Sequence, residues 1–163
     1  MNPVLLGNLV SLVGAFLMIA IGLLKKKSQI LIAQCAQFGI MGAGHAILGG
    51  FSGVVSNIVS ILRNVICLKW AFTWPFKIIF IVLQILMTAA VKPVGIIGWL
   101  PAAAACLYTW FLDLKSERLL KLVMIIAQLF WIVYDFSIQN YTALAFDVFT
   151  VISNIVGIIM LKK

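Results

Sequence analysis

FSGVVSNIVSILRN (residues 51–64) and YTALAFDVFTVISN (141–154) decide how this chain is read. In the first stretch Asn57, Ser60 and Asn64 stand at i, i+3 and i+7, and in the second Asp147, Thr150 and Asn154 repeat that spacing. Such spacing places each trio on one face of a helix. Most of the other residues in both stretches are apolar, so each helix is largely greasy and carries a polar stripe. A soluble domain has the opposite need, since its polar faces must point outward. Helices of this kind belong in lipid, with their stripes turned towards one another.

The rest of the chain agrees. Of 163 residues 64% are hydrophobic and 10% charged, against about a quarter charged in soluble domains. A span needs roughly 20 apolar residues, so seven spans use nearly the whole chain and leave no room for a soluble catalytic or nucleotide-binding domain. Apolar runs cover about 3–24, 29–48, 51–70, 76–91, 94–112, 119–138 and 142–160. The fourth is short and carries Gln84. Continuous rather than alternating hydrophobicity favours helices over a barrel. The first run has no charge before it and Lys25, Lys26 and Lys27 after it, so it reads as a retained helix rather than a secretory signal.

The net charge of +8 would suggest nucleic acid in a soluble protein. Here the basic residues end apolar runs and act as topology signals, and no nucleic-acid partner is expected. With seven spans Lys25, Lys26, Lys27, Lys69, Lys77, Lys115, Arg118, Lys121, Lys162 and Lys163 share one side, Lys92 alone takes the other, and Arg63 lies within a span. That bias puts the N-terminus outside and the C-terminus in the cytoplasm. Six spans would scatter the charges.

The first three and last three runs read as copies. Gly7, Gly14, Ala36 and Gln37 match Gly98, Ala105, Ala127 and Gln128 at an interval of 91. Beyond the next loop the interval becomes 90, pairing Phe51, Ser52, Gly53, Asn57, Ser60 and Asn64 with Tyr141, Thr142, Ala143, Asp147, Thr150 and Asn154. The polar matches carry this, because polar residues in spans are costly. A directly following three-helix copy would be inverted, and one extra helix restores its orientation. The fold class expected is therefore an all-α membrane protein of seven transmembrane helices in a 3+1+3 plan. Its parts are a first three-helix repeat over 1–72, a linker helix in 73–93 and a second repeat over 94–163. Parallel repeats of this kind hold transporter sites near the midplane.

Both polar stripes extend about 5–6 Å either side of the bilayer centre at the helical rise per residue. They suit a hydrogen-bonding site for a small polar solute, made of Asn57, Ser60, Arg63, Asn64, Trp131, Asp147, Thr150 and Asn154; the competing reading is polar glue between helices. Arg63, costing about 2.5–3.5 kcal/mol within a bilayer, must face an interior or a wet cavity. Its planar donor fork suits an anionic or carbonyl-bearing solute. It could instead snorkel to headgroups or pair with Asp113 or Glu117, and Asp147 lies about 10 Å away in depth. Gln34, Gln37, Met41 and His45 share one face of the second run, and Gln128, Trp131 and Asp135 one face of the sixth, with Tyr134 beside them. His45, Tyr134 and Asp135 would then form an outer vestibule. Trp131 and Tyr134 could stack on a flat solute or serve only as packing aromatics, and His45 could relay protons or simply be hydrogen-bonded at the interface.

Other chemistries lack support. Ser56 or Ser60 with His45 and Asp135 could be cast as a triad, but no Gly-x-Ser-x-Gly elbow accompanies them, so no catalytic residue is assigned. Cys35, Cys67 and Cys106 all fall inside apolar runs, and one histidine with scattered thiols has no metal spacing. No metal or other cofactor is expected, and no phosphate-binding glycine loop is present. Gly7, Ser11, Gly14, Met18 and Gly22 in the first run, with Gly98, Ala102, Ala105 and Thr109 in the fifth, make close-packing faces for the bundle or for a second copy of the chain. Pro101 is expected to kink the fifth run.

Ala36-Gln37 through His45, Gly49, Gly53 and Asn57-x-x-Ser60-x-x-Arg63-Asn64 resembles the signature region of the YgjV family of bacterial inner-membrane proteins. Trp131, Tyr134-Asp135 and Ser153-Asn154-Ile155-Val156-Gly157-Ile158 resemble that family's C-terminal half. The resemblance implies a bacterial inner-membrane location and no particular function. In plan the chain is similar to SWEET sugar facilitators and PnuC-type vitamin transporters. Asparagines on the third and seventh helices of SWEET-like proteins match Asn57, Asn64 and Asn154 in kind, but their paired kink prolines are absent save Pro101. The function expected is a facilitator of a small polar solute; the alternative is a non-transporting membrane protein that binds a partner protein or lipid.

Overall fold

A computed structural model describes residues 2–21, 26–70, 72–111 and 116–160. Among these residues the chain is all-helical, with α1 Pro3–Ile21, α2 Lys27–Ile47, α3 Phe51–Lys69, α4 Trp74–Ala90, α5 Leu100–Phe111, α6 Glu117–Ser137 and α7 Tyr141–Met160. A 3-10 turn, Ile97–Trp99, leads into α5. Four segments are long and apolar enough to cross a membrane: Ser28–Ile47, Phe51–Lys69, Arg118–Ser137 and Tyr141–Met160. The described apolar segments Pro3–Met18, Trp74–Ala90 and Ile97–Phe111 are shorter. Lys25, Asp113, Lys115, Lys162 and Lys163, invoked above for topology or pairing, lie outside the described residues, as do Gly22 and the Glu117 side chain.

The bundle turns its large apolar side chains outward. Leu5, Leu9, Val13 and Phe16 form an exposed ridge on α1, and Phe149, Ile152, Val156 and Ile159 do so on α7. The interior instead collects Gln84, Asn57, His45, Asp135 and Arg63. This inversion suits a hydrocarbon solvent, where polar groups must find partners inside the protein.

α1, α2 and α3 pack in succession, as do α5, α6 and α7. α4 lies against α3 and α5, α1 closes on α7, and α3 touches α5. On α4, Lys77, Phe80, Gln84 and Thr88 are the buried face. Gln84 Nε2 donates to Ser56 Oγ at 2.9 Å and to Thr88 Oγ1 at 3.0 Å, fastening α4 to α3. Asn8 fastens α1 to α7, its amide donating to the Gln139 carbonyl at 2.8 Å and its Oδ1 accepting from the Thr142 N–H at 2.8 Å.

α2 and α6 end in the same Schellman turn. Gly50 N–H donates to the His45 carbonyl at 2.8 Å, and Asn140 N–H to the Asp135 carbonyl at 2.9 Å. The left-handed residues are Gly49 (φ 75°) and Gln139 (φ 61°). His45 and Asp135 therefore hold the same station on their helices, 90 residues apart. Burial follows that interval: Gln37 and Ala127 are both buried, while Ala36 and Ile126 are both exposed. An interval of 91 would set exposed Ala36 against buried Ala127. Matching the two Ala-Gln pairs by identity thus misplaces the register of α2 and α6 by one residue, a turn of about 100° around the helix.

Packing corrects one further expectation and decides between two alternatives for another. Pro101 does not kink α5; it sits in the first turn, where the missing N–H costs nothing. The small face of α1 is internal: Gly7, Ser11 and Gly14 are buried. A Cβ added at Gly7 would meet Leu48, which caps α2, and one at Gly14 would meet Met41 of α2.

Candidate functional site

Between the two helix triplets lies a cavity of about 380 Å³. Its polar wall includes Gln37 and His45 from α2, Asn57, Ser60 and Arg63 from α3, Gln128 and Asp135 from α6, and Asp147 and Thr150 from α7. Trp131, Tyr108, Phe38, Phe146 and three methionines, Met18, Met41 and Met124, supply much of the rest.

At one end His45 and Asp135 are bonded, Nε2 to Oδ1 at 2.9 Å, and each is 1% exposed. Asn57 Nδ2 lies 3.0 Å from His45 Nδ1 and 2.8 Å from the Gly53 carbonyl. A carbonyl only accepts, so that atom of Asn57 is the NH2 group and both of its protons are engaged. His45 Nδ1 must then accept, and Nε2–H donates to Asp135. The ring stacks on Trp131 at 5.6 Å and meets the edge of Tyr134 at 5.9 Å. His45 and Asp135, expected in an outer vestibule, are thus bonded to each other in the wall of the cavity.

Tyr134 has another task. Its Oη accepts the Gly53 N–H at 2.9 Å, one of the free amides at the start of α3 whose N-cap, Gly50, has no side chain to offer. In α7 the equivalent amide, Ala143 N–H, is capped locally by Asn140 Oδ1 at 3.3 Å. Tyr134 packs beside the chamber without lining it. The backbone opposite approaches closely: a Cβ at Gly53 would lie 3.0 Å from both His45 and Tyr134.

Asp147 is 8% exposed; Gln128 Nε2 donates to its Oδ1, and Oδ2 has no partner. Towards the other end Arg63, 4% exposed, donates from Nη1 to Thr109 Oγ1 at 3.2 Å. Its guanidinium carbon stands 5.1 Å from the centre of the Tyr108 ring, and Nε has no partner. Among the described residues no carboxylate pairs with it.

Asn64 and Asn154 stand outside the cavity lining. Asn64 donates to Gln34 Oε1 at 3.0 Å, tying α3 to α2, and Asn154 donates to the Thr150 carbonyl of its own helix at 2.8 Å. Thr150 Oγ1 in turn donates to the Phe146 carbonyl at 2.9 Å. Sequence reasoning left Tyr108, Phe38 and Phe146 out of the site and assigned Gln128 no role there. Tyr108 was legible in principle, one turn beyond the small pair Ala104-Ala105 that opens room beneath it.

Outward apolar helices around an interior that gathers buried polar side chains and a cavity define an integral membrane protein. The family model described as Imp-YgjV, bacterial inner membrane protein, matches residues 5–163, and the chain belongs to that family. Comparison with curated proteins and with solved structures returns no match. The protein is therefore a bacterial inner-membrane protein.

Proposed function

We propose that the protein is a non-enzymatic facilitator that carries a small polar solute across the inner membrane. In this reading it crosses seven times, N-terminus outside and C-terminus in the cytoplasm, as two parallel three-helix repeats joined by α4. The shared 90-residue interval in burial and turn geometry supports the repeat. So does the packing, since α1 on α7 and α5 on α3 are equivalent contacts under that interval. Rocking of the repeats would expose the chamber alternately to either side.

The observation that carries the proposal is a cavity walled by both triplets in which two almost fully buried side chains, Asp147 and Arg63, each keep one polar atom unpartnered. Buried polar atoms are nearly always satisfied, and of the five unpartnered ones among the described residues, those of Arg63 and Asp147 belong to residues that line the cavity while those of Ser11, Gln84 and Asn140 do not. Asn57 and Asn64 are engaged by protein partners, so the solute-facing groups in this reading are Arg63, Asp147 and Trp131.

The test is uptake into proteoliposomes of any solute that raises the melting temperature of the purified protein. Asp147→Asn and Trp131→Ala should remove both uptake and the thermal shift while leaving the empty protein folded. Variants that transport normally would sink the site assignment. Losses that merely track reduced stability would favour the partner- or lipid-binding alternative.

A further inference from the structure

The chamber wall is largely apolar, with Gln37, Ser60 and Thr150 among its polar members, and two of its polar groups carry an unpartnered atom. Its unsatisfied donor is Arg63 Nε, its unsatisfied acceptor is Asp147 Oδ2, and both residues line the same cavity. Asp147 holds on α7 the station that Asn57 holds on α3, and Arg63 lies six residues, about 9 Å of helical rise, further along. Asp135, the other carboxylate of the lining, is engaged by His45 and stands beside Asp147. Met18, Met41, Met124, Phe38 and Phe146 contribute to the wall, and these side chains offer a solute no strong hydrogen bonds.

From this arrangement we infer that the solute is an elongated zwitterion, a carboxylate held by Arg63 and an ammonium by Asp147, joined by a short methylene chain. A planar guanidinium N–H suits a carboxylate oxygen, and an ammonium supplies the donors that the open carboxylate oxygen lacks. The methionine and phenylalanine wall fits methylenes. The inference deepens the facilitator reading and rests on it for the identity of the site.

The experiment is a thermal-shift titration of the whole detergent-solubilised protein with the ω-amino acids from β-alanine to 8-aminooctanoate. Hexanoate and hexylamine serve as one-charge controls for 6-aminohexanoate. The expected result is a maximum at intermediate chain length, with the zwitterion binding at least about tenfold tighter than either control. Asp147→Asn should erase the preference over hexanoate, and Arg63→Met the preference over hexylamine. Equal binding of zwitterion and controls, no dependence on length, or no shift from any member would overturn the inference. A neutral polyol that shifts the protein when the zwitterions do not would overturn it too, yet leave solute transport standing. Zwitterion binding without flux in proteoliposomes would uphold it and remove the transport reading instead.

Discussion

The hydroxyl of Tyr134 can be tested as a helix cap supplied from the other triplet. Tyr134→Phe deletes one oxygen and leaves the Gly53 N–H buried without an acceptor, which costs about 1–3 kcal/mol. The ring carbon Cε1 lies 3.0 Å from where a Gly53 Cβ would be, so the ring stays against the backbone and water cannot replace the oxygen. Position 50 supplies the second arm. Its counterpart Asn140 caps α7 with its own side chain, but a Cβ at Gly50 would stand 2.7 Å from Tyr134 Oη. Gly50→Asn alone should therefore cost about 1–3 kcal/mol through overpacking. In the Tyr134→Phe background the obstructing oxygen is gone and the new amide can take the Gly53 N–H. The other close atom, the terminal methyl of Ile138 at 2.8 Å, is present in both backgrounds and cancels. Thermal unfolding of the four proteins in one detergent should show Gly50→Asn at least about 1 kcal/mol less costly beside Tyr134→Phe than alone. Additivity within about 0.5 kcal/mol would refute the capping argument.

Arg63→Met should raise the melting temperature of the empty protein, since exchanging a buried charge for a well-packed apolar chain often stabilises by about 1–4 kcal/mol; a marked fall would show that Arg63 is structural. His45→Phe keeps the ring against Trp131 but strips partners from Asn57 Nδ2 and Asp135 Oδ1, for a loss of about 3–5 kcal/mol. Asp135→Asn should cost clearly less by the same unfolding assay, because its amide oxygen still accepts from His45. Gln139→Gly, at a left-handed turn with φ 61°, should gain about 0.5–1 kcal/mol, and Gly49→Gln, at the matching turn, should lose about 1 kcal/mol.

Apolar runs and their interruptions placed all seven helices, because in lipid a continuous greasy segment has few ways to satisfy its backbone other than a helix. The polar stripes showed which faces of α3 and α7 turn inward, since spacing along one helix fixes which side chains share a face. Lys92-Pro93 and Gly49-Gly50 marked connections for equally local reasons. Register between α2 and α6 was beyond such reasoning: two Ala-Gln pairs match by identity at 91, whereas burial and the turns that end the two helices match at 90. Partnership was equally out of reach. Asn57, Asn64 and Asn154 read alike as open hydrogen-bonding groups, yet packing gives them His45, Gln34 and the Thr150 carbonyl. Tyr134, which reads as a wall aromatic, becomes the cap of a helix 81 residues away. A chain's own periodicity sets the direction in which a side chain leaves its helix. Which group it meets depends on how helices distant in sequence rotate and seat against each other, and that rotation left one oxygen of Asp147 and one nitrogen of Arg63 unpartnered.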